Sequence, residues 1–277
     1  MLGDVTFGQY YNANSFVHKT DPRIKILLLI AYIVAVFLAG NFLSLAAVLV
    51  FLIIAVMFSS VPIGSVLRSI KAIFFLILFT AVLNVLFHVR SETDTVYFWV
   101  ITKEGLLSAA FLASRLILLV TGSSLLTLTT TPVSLTDGLE SLLKPLALIK
   151  FPVHELALIM SIALRMIPTL ANETDRIICA QKARGADFES GNIISRLKAL
   201  VPVLIPLIIS ALRRADELGD AMDARCYWGS KDRTKYKKLK LSFRDPVAII
   251  FVGGLITGVV FLNIYYAQII SFFAALL

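Results

Sequence analysis

No charged side chain appears from Ile26 through Leu67. A helix crosses the hydrocarbon of a bilayer with ~20 apolar residues. The run is therefore long enough to cross twice, with Gly40-Asn41 as the turn. A second uncharged run covers Ala72 to Val89, and a third covers Pro246 to the C-terminus. Gly105–Thr131 is a further span, interrupted only by Arg115. A mean hydropathy of +0.87 with 16% charged residues belongs to a membrane protein, not a soluble domain. The expected fold is all-α: a polytopic membrane protein with about five transmembrane helices plus long amphipathic cytoplasmic helices. Residues 1–131 form the first four spans, residues 132–245 a cytoplasmic part, and residues 246–277 the last span.

The net charge of +8 follows from loop placement and implies no nucleic-acid partner. Lys19, Arg23 and Lys25 precede the first span, and Arg68 and Lys71 follow the second. The Gly40-Asn41 turn is uncharged, and the 90–104 loop balances Arg90 and Lys103 against Glu92, Asp94 and Glu104. This bias places the N-terminus in the cytoplasm, and five spans put the C-terminus outside. The polar opening residues, among them Asp4 and Asp21, do not read as a signal peptide. Lys231, Arg233, Lys235, Lys237, Lys238 and Lys240, ahead of the last span, match anionic lipid headgroups at ~1 kcal/mol per basic residue.

Residues 132–245 are leucine-rich, yet charges interrupt them every few positions. Leu156, Ile159, Met160, Ala163, Leu164, Ile167, Leu170 and Ala171 recur at helical three-four spacing, opposite Glu155, Arg165, Glu173 and Arg176. A helix over Glu155–Arg184 would be roughly 45 Å long. Pro168 should kink or split it. A second stripe runs through Val201, Leu204, Ile208, Leu212, Ala215, Leu218 and Met222, with Pro202 and Pro206 at its entrance. A shorter helix over Val133–Lys144 is opened by Thr131-Pro132. The apolar faces of the two long helices need a covering: the membrane bundle, each other, or another protein.

Both stripes end in the same signal. Ala180, Ala183 and Arg184 recur forty-one positions later as Ala221, Ala224 and Arg225, and Asp175 recurs as Asp216. Small residues keep a helix end slim enough to enter a groove. Gly185 fits the position after the cap, where left-handed backbone is cheapest. Arginine adds a planar fork of donors that stays charged. A lone arginine there would only favour the helix dipole. The repeat points instead to two equivalent sockets, as on paired nucleotide-binding subunits.

The chain resembles the transmembrane T component of energy-coupling factor (ECF) vitamin transporters along nearly its whole length. The resemblance is carried by HKTDPRIK (18–25), TLTTTPVSLTDGLESLLKPL (127–146), ELALIMSIALRMIPTLANETDRIICAQKARGADF (155–188) and RRADELGDAMDARCYWGSKDRTKYKKLK (213–240). It implies a multi-pass subunit of the bacterial cell membrane. Its partners are two ABC-type ATPase subunits, which bind ATP and magnesium, and a small membrane-embedded substrate-binding subunit. It also implies that Ala183-Arg184-Gly185 and Ala224-Arg225-Cys226 engage one ATPase each. The second motif departs from Ala-Arg-Gly at Cys226, a residue that adopts positive φ less readily, so a glycine-type helix ending is less expected there.

No G-x-x-x-x-G-K-[ST] loop is present, so ATP hydrolysis is expected from a partner and not from this chain. His18, His88 and His154 are scattered: the first and last read as interface or surface residues, and His88 sits near a membrane boundary. Cys179 and Cys226 have no metal-type spacing and are expected to stay reduced, with no assigned role. Arg115 is either a functional intramembrane charge or a structural contact within the bundle, and the second reading is favoured. A dedicated metal-ion or single-vitamin system, and a self-contained permease, are the alternatives to the shared vitamin type.

Overall fold

The computed structural model describes residues 10–87, 96–98, 101–149, 151–188, 192–227, 229, 242–266 and 268. His88, Arg90, Glu92, Asp94, Asp4 and the basic cluster at 231–240 lie outside them. The helices are α1 (Pro22–Leu38), α2 (Phe42–Ser59), α3 (Ile63–Leu86), α4 (Lys103–Thr129), α5 (Pro132–Leu143), α6 (Val153–Ala183), α7 (Ile193–Ala224) and α8 (Arg244–Ile264). A short antiparallel pair, β1 (Val96–Phe98) and β2 (Ile101–Thr102), precedes α4.

Local chemistry sets the boundaries. Asp21 caps α1 by accepting from the Arg23 amide at 2.9 Å, and Pro22 fills the first helical position. At the α1–α2 turn the Asn41 amide donates to Ser44 Oγ at 3.1 Å. Thr102 caps α4 through the Gly105 amide. Thr131 opens α5 by accepting from the Ser134 amide, as Thr131-Pro132 predicted.

Among the described residues, five helices are long and apolar enough to cross a bilayer: α2, α3, α4, α6 and α8. The expected set held α1 in place of α6. At 17 residues α1 falls at the short end of the range for a span, and its charges, Arg23 and Lys25, lie in its first turn. We therefore keep α1 among the spans. α6 qualifies with the lowest mean hydropathy of the five, 1.4, because charged and polar residues such as Glu155 and Arg165 are interspersed among its apolar ones.

The chain divides into two compact units. One holds residues 9–139 and 239–277; residues 140–238 make up most of the other. In the first, α1 packs against α4 and α8, α2 packs against both of these, and α3 lies on α4. Tyr32, Ala35 and Val36 of α1 and its cap Ala39 meet Leu45, Val48, Leu52, Leu118, Leu255 and Val259 in one buried cluster. Small residues let helices approach closely, which matters where lipid provides no hydrophobic drive. Gly122 is the clearest case, since a Cβ there would overlap the Tyr32 ring. That ring donates its hydroxyl to the Leu118 carbonyl at 3.0 Å.

The second unit is built on α6 and α7, which pack together. Neither helix is broken where proline was expected to act. α6 runs continuously through Pro168, and α7 begins well before its apolar stripe, so Pro202 and Pro206 lie inside it and not at its entrance. Proline removes one helical donor. At Pro206 the carbonyl left without that donor belongs to Pro202, and Gln181 of α6 donates its side-chain amide there at 3.2 Å.

Candidate functional site

The two alanine–arginine signals fall at structurally equivalent places. α6 ends at Ala183 with Arg184 as its cap, and α7 ends at Ala224 with Arg225 as its cap. After the first, the Gly185 amide donates to the Lys182 carbonyl at 3.0 Å and the Ala186 amide to Gln181 at 3.0 Å. After the second, the Cys226 amide donates to Asp223 at 2.9 Å and the Tyr227 amide to Met222 at 3.1 Å. Each is a Schellman ending, with the same pair of bonds in the same register.

That ending demands left-handed backbone at the residue after the cap. Gly185 has φ +88°, and Cys226 has φ +54°. The glycine-type ending is thus kept at the second tip despite the cysteine, against the expectation from residue preference. Two reverse-turn hydrogen bonds hold it there. Around Gly185 a Cβ would meet nothing, so glycine serves the backbone angle and not a close approach. Ala183, Arg184, Gly185, Ala224, Arg225 and Cys226 are all exposed.

The repeat also appears where the helices meet. Glu173 of α6 pairs with Arg214 of α7, forty-one positions later, and accepts from Ser210 Oγ at 2.7 Å. Toward the end of α6 the partner moves back along α7, from Ser210 and Arg214 to Pro202. The helices therefore pair in antiparallel sense, and repeat-equivalent positions meet at one point. Each arginine tip lies eleven residues beyond its side of that point. At 1.5 Å per residue the tips extend about 17 Å each in opposite senses. One arginine motif is presented at each end of the pair.

The remaining candidates have local roles. Arg115 Nη2 donates to the Ala39 carbonyl at 2.6 Å, and its guanidinium lies 4.8 Å from the Phe111 ring centre. It thus tends the C-terminal end of α1, where a cation is favoured. His154 Nδ1 is 3.1 Å from Glu140 Oε1, linking the end of α5 to the start of α6. The His18 ring bonds Ser15 Oγ at 2.7 Å and the Tyr11 carbonyl at 2.8 Å. Cys179 and Cys226 are exposed free thiols. Sequence reasoning missed Lys25, Asp21 and Asp245: their residue types gave a signal, but Thr129 and Thr130 are 104 and 105 positions from Lys25, and Asp21 is 224 from Asp245. The cavity of about 390 Å³ in the first unit is lined by apolar groups such as Phe16, Leu29, Phe51, Leu126 and Phe251, with Lys25 at its edge. Such a lining fits hydrocarbon and offers little to a polar cargo.

Long apolar helices, joined in the chain to an antiparallel pair with two exposed arginine tips, define a multi-pass membrane protein. The family model described as CbiQ, cobalt transport protein, matches residues 13–236. The energy-coupling factor transporter transmembrane protein EcfT of Clostridium kluyveri is 52% identical over 251 residues, covering 90% of this chain and 93% of that protein. The EcfT of Acidaminococcus fermentans is 46% identical, covering 95% and 98%, and that of Bacillus subtilis is 43% identical, covering 90% and 95%. The chain belongs to the CbiQ family and stands within it among the energy-coupling factor transmembrane proteins.

Proposed function

We propose that this chain is the transmembrane coupling subunit of an energy-coupling factor importer, and that Arg184 and Arg225 dock into two ABC-type ATPase subunits, one each. The observation that carries this reading is the pair of identical helix endings, exposed, in the same register, at opposite ends of an antiparallel pair. The ATPases bind ATP and magnesium, and this chain contributes no catalytic group. A small membrane-embedded subunit captures the cargo. When ATP draws the ATPases together, their sockets carry the two tips, the α6–α7 pair shifts, and the surface facing the capture subunit changes shape. The lysine and arginine bias of the loops supports a cytoplasmic side for the N-terminus and these helices. Anionic lipid headgroups meet the basic segment before α8.

Purification of the tagged chain from its native membrane is expected to yield two ATPase subunits and one small membrane protein. Truncating a buried charged partner costs ~2–5 kcal/mol, so Arg184→Ala or Arg225→Ala should weaken ATPase retention at least about tenfold. Lysine at either position should rescue only in part, because the planar fork is lost. Full ATPase retention by the double alanine variant would overturn the docking assignment. A metal cargo is the second reading, carried by the cobalt description of the matching family model. Identification of the co-purified capture subunit and its bound cargo separates the two.

A further inference from the structure

Three ionisable side chains sit almost fully enclosed at one end of the membrane unit. Asp245 is 1% exposed, Asp21 6% and Lys25 7%. Asp245 of α8 accepts from the Asp21 amide at 2.9 Å and from the Ser242 amide at 2.7 Å. Lys25 of α1 donates to the carbonyls of Thr129 at 3.0 Å and His18 at 3.3 Å, and to Thr130 Oγ1 at 3.1 Å. All three ammonium donors are therefore used, two of them at the end of α4. Gly138 of α5 lies against Pro22, where a Cβ would come within 3.1 Å of the proline ring. The start of α1 is thus bound to the end of α4, the second half of α5 and the start of α8.

These are the places where the chain leaves and re-enters the membrane unit. It departs after Leu139 and returns at Leu239. Thr129, Thr130 and Gly138 precede the departure, and Ser242 and Asp245 follow the return. Buried charge is an expensive way to gain stability, and its best-attested use is to fix one arrangement against others. Resting on the coupling reading above, we infer that Asp21, Lys25 and Asp245 form a transmission latch. It ties both exits to α1, so that displacement of the coupling helices passes into the membrane bundle and is not lost in slack connections. These are positioning residues, and they touch neither nucleotide nor cargo.

The test uses the full complex with its native cysteines and two pairs of spin labels attached through p-acetylphenylalanine. One pair, at positions 176 and 217, reports the coupling helices. The other, at the exposed positions 37 on α1 and 75 on α3, reports the bundle; α3 contributes nothing to the latch. ATP with vanadate should shift both distances in the parent. In Lys25→Met/Asp245→Asn, which removes opposite charges together, the coupling-helix shift should persist and the bundle shift should fall by at least half. Thr130→Val, a milder variant that keeps both charges, should fall between. An unchanged bundle shift in the double variant overturns the latch, as does a parent bundle that ignores nucleotide. Loss of the ATPases from the parent complex would instead refute the docking reading, and so distinguishes the two failures.

Discussion

Cys226 holds a left-handed backbone angle that glycine holds at the other tip. The conformation costs an L-residue about 1–2 kcal/mol, and glycine would return part of that gain as chain entropy. Cys226→Gly should therefore stabilise the α7 terminus by about 0.5–1 kcal/mol. Slower amide exchange at Tyr227 would report it, with ATPase retention unchanged. Gly185→Val should do the reverse at the first tip, and more strongly, because a β-branched side chain tolerates that region worst. Gly122→Ala acts by crowding: it drives a methyl into the Tyr32 ring and should cost ~1–3 kcal/mol of stability. In a Tyr32→Ala background that cost should largely vanish, since neighbouring substitutions do not add. A thermal-melt double-mutant cycle checks it, and full additivity would contradict the packing described.

The α6–α7 pair is held at its centre by Glu173, Arg214 and Ser210. Glu173→Arg alone, or Arg214→Glu alone, should raise amide exchange around the crossing, and the charge-swapped double variant should restore protection. Equal exchange in all three would show that the ion pair does not hold the helices. Much of this level could be read from the chain. Thr131-Pro132, Asp21-Pro22-Arg23 and the Gly40-Asn41 turn carry their capping chemistry in adjacent letters. The offset of forty-one and the three-four stripes located α6 and the end of α7 closely, whereas the start of α7 at Ile193 lies well ahead of the stripe that begins at Val201. Other features could not be read this way. Arg115 meets the carbonyl of Ala39, 76 positions away, and Asp245 meets the amide of Asp21, 224 away. No periodicity encodes a side chain that seeks a distant backbone group. Pro168 does not split α6, and Pro202 and Pro206 lie inside α7 and not at its entrance; at Pro206 the missing donor is supplied by Gln181 of the neighbouring helix.

For the whole chain, the orientation we propose from loop charge is open to a direct check. A membrane-impermeant maleimide should label the exposed Cys179 in inside-out vesicles and not in intact cells. Labelling of Cys179 from the cell exterior would mean that α6 crosses the bilayer. α1 is fastened at both ends by the same two neighbours. At its start it is held by Asp245 of α8 and by the end of α4; at its finish Arg115 of α4 takes the Ala39 carbonyl, and Asn263 of α8 takes the Leu38 carbonyl and the Gly40 amide. A free helix answers a thicker bilayer by changing its tilt. With its two ends pinned, α1 keeps a fixed rise of about 26 Å for its 17 residues, somewhat under a typical hydrocarbon core of ~30 Å. Hydrophobic mismatch must then be absorbed by the lipid, so turnover in reconstituted vesicles should peak with shorter acyl chains and decline as they lengthen.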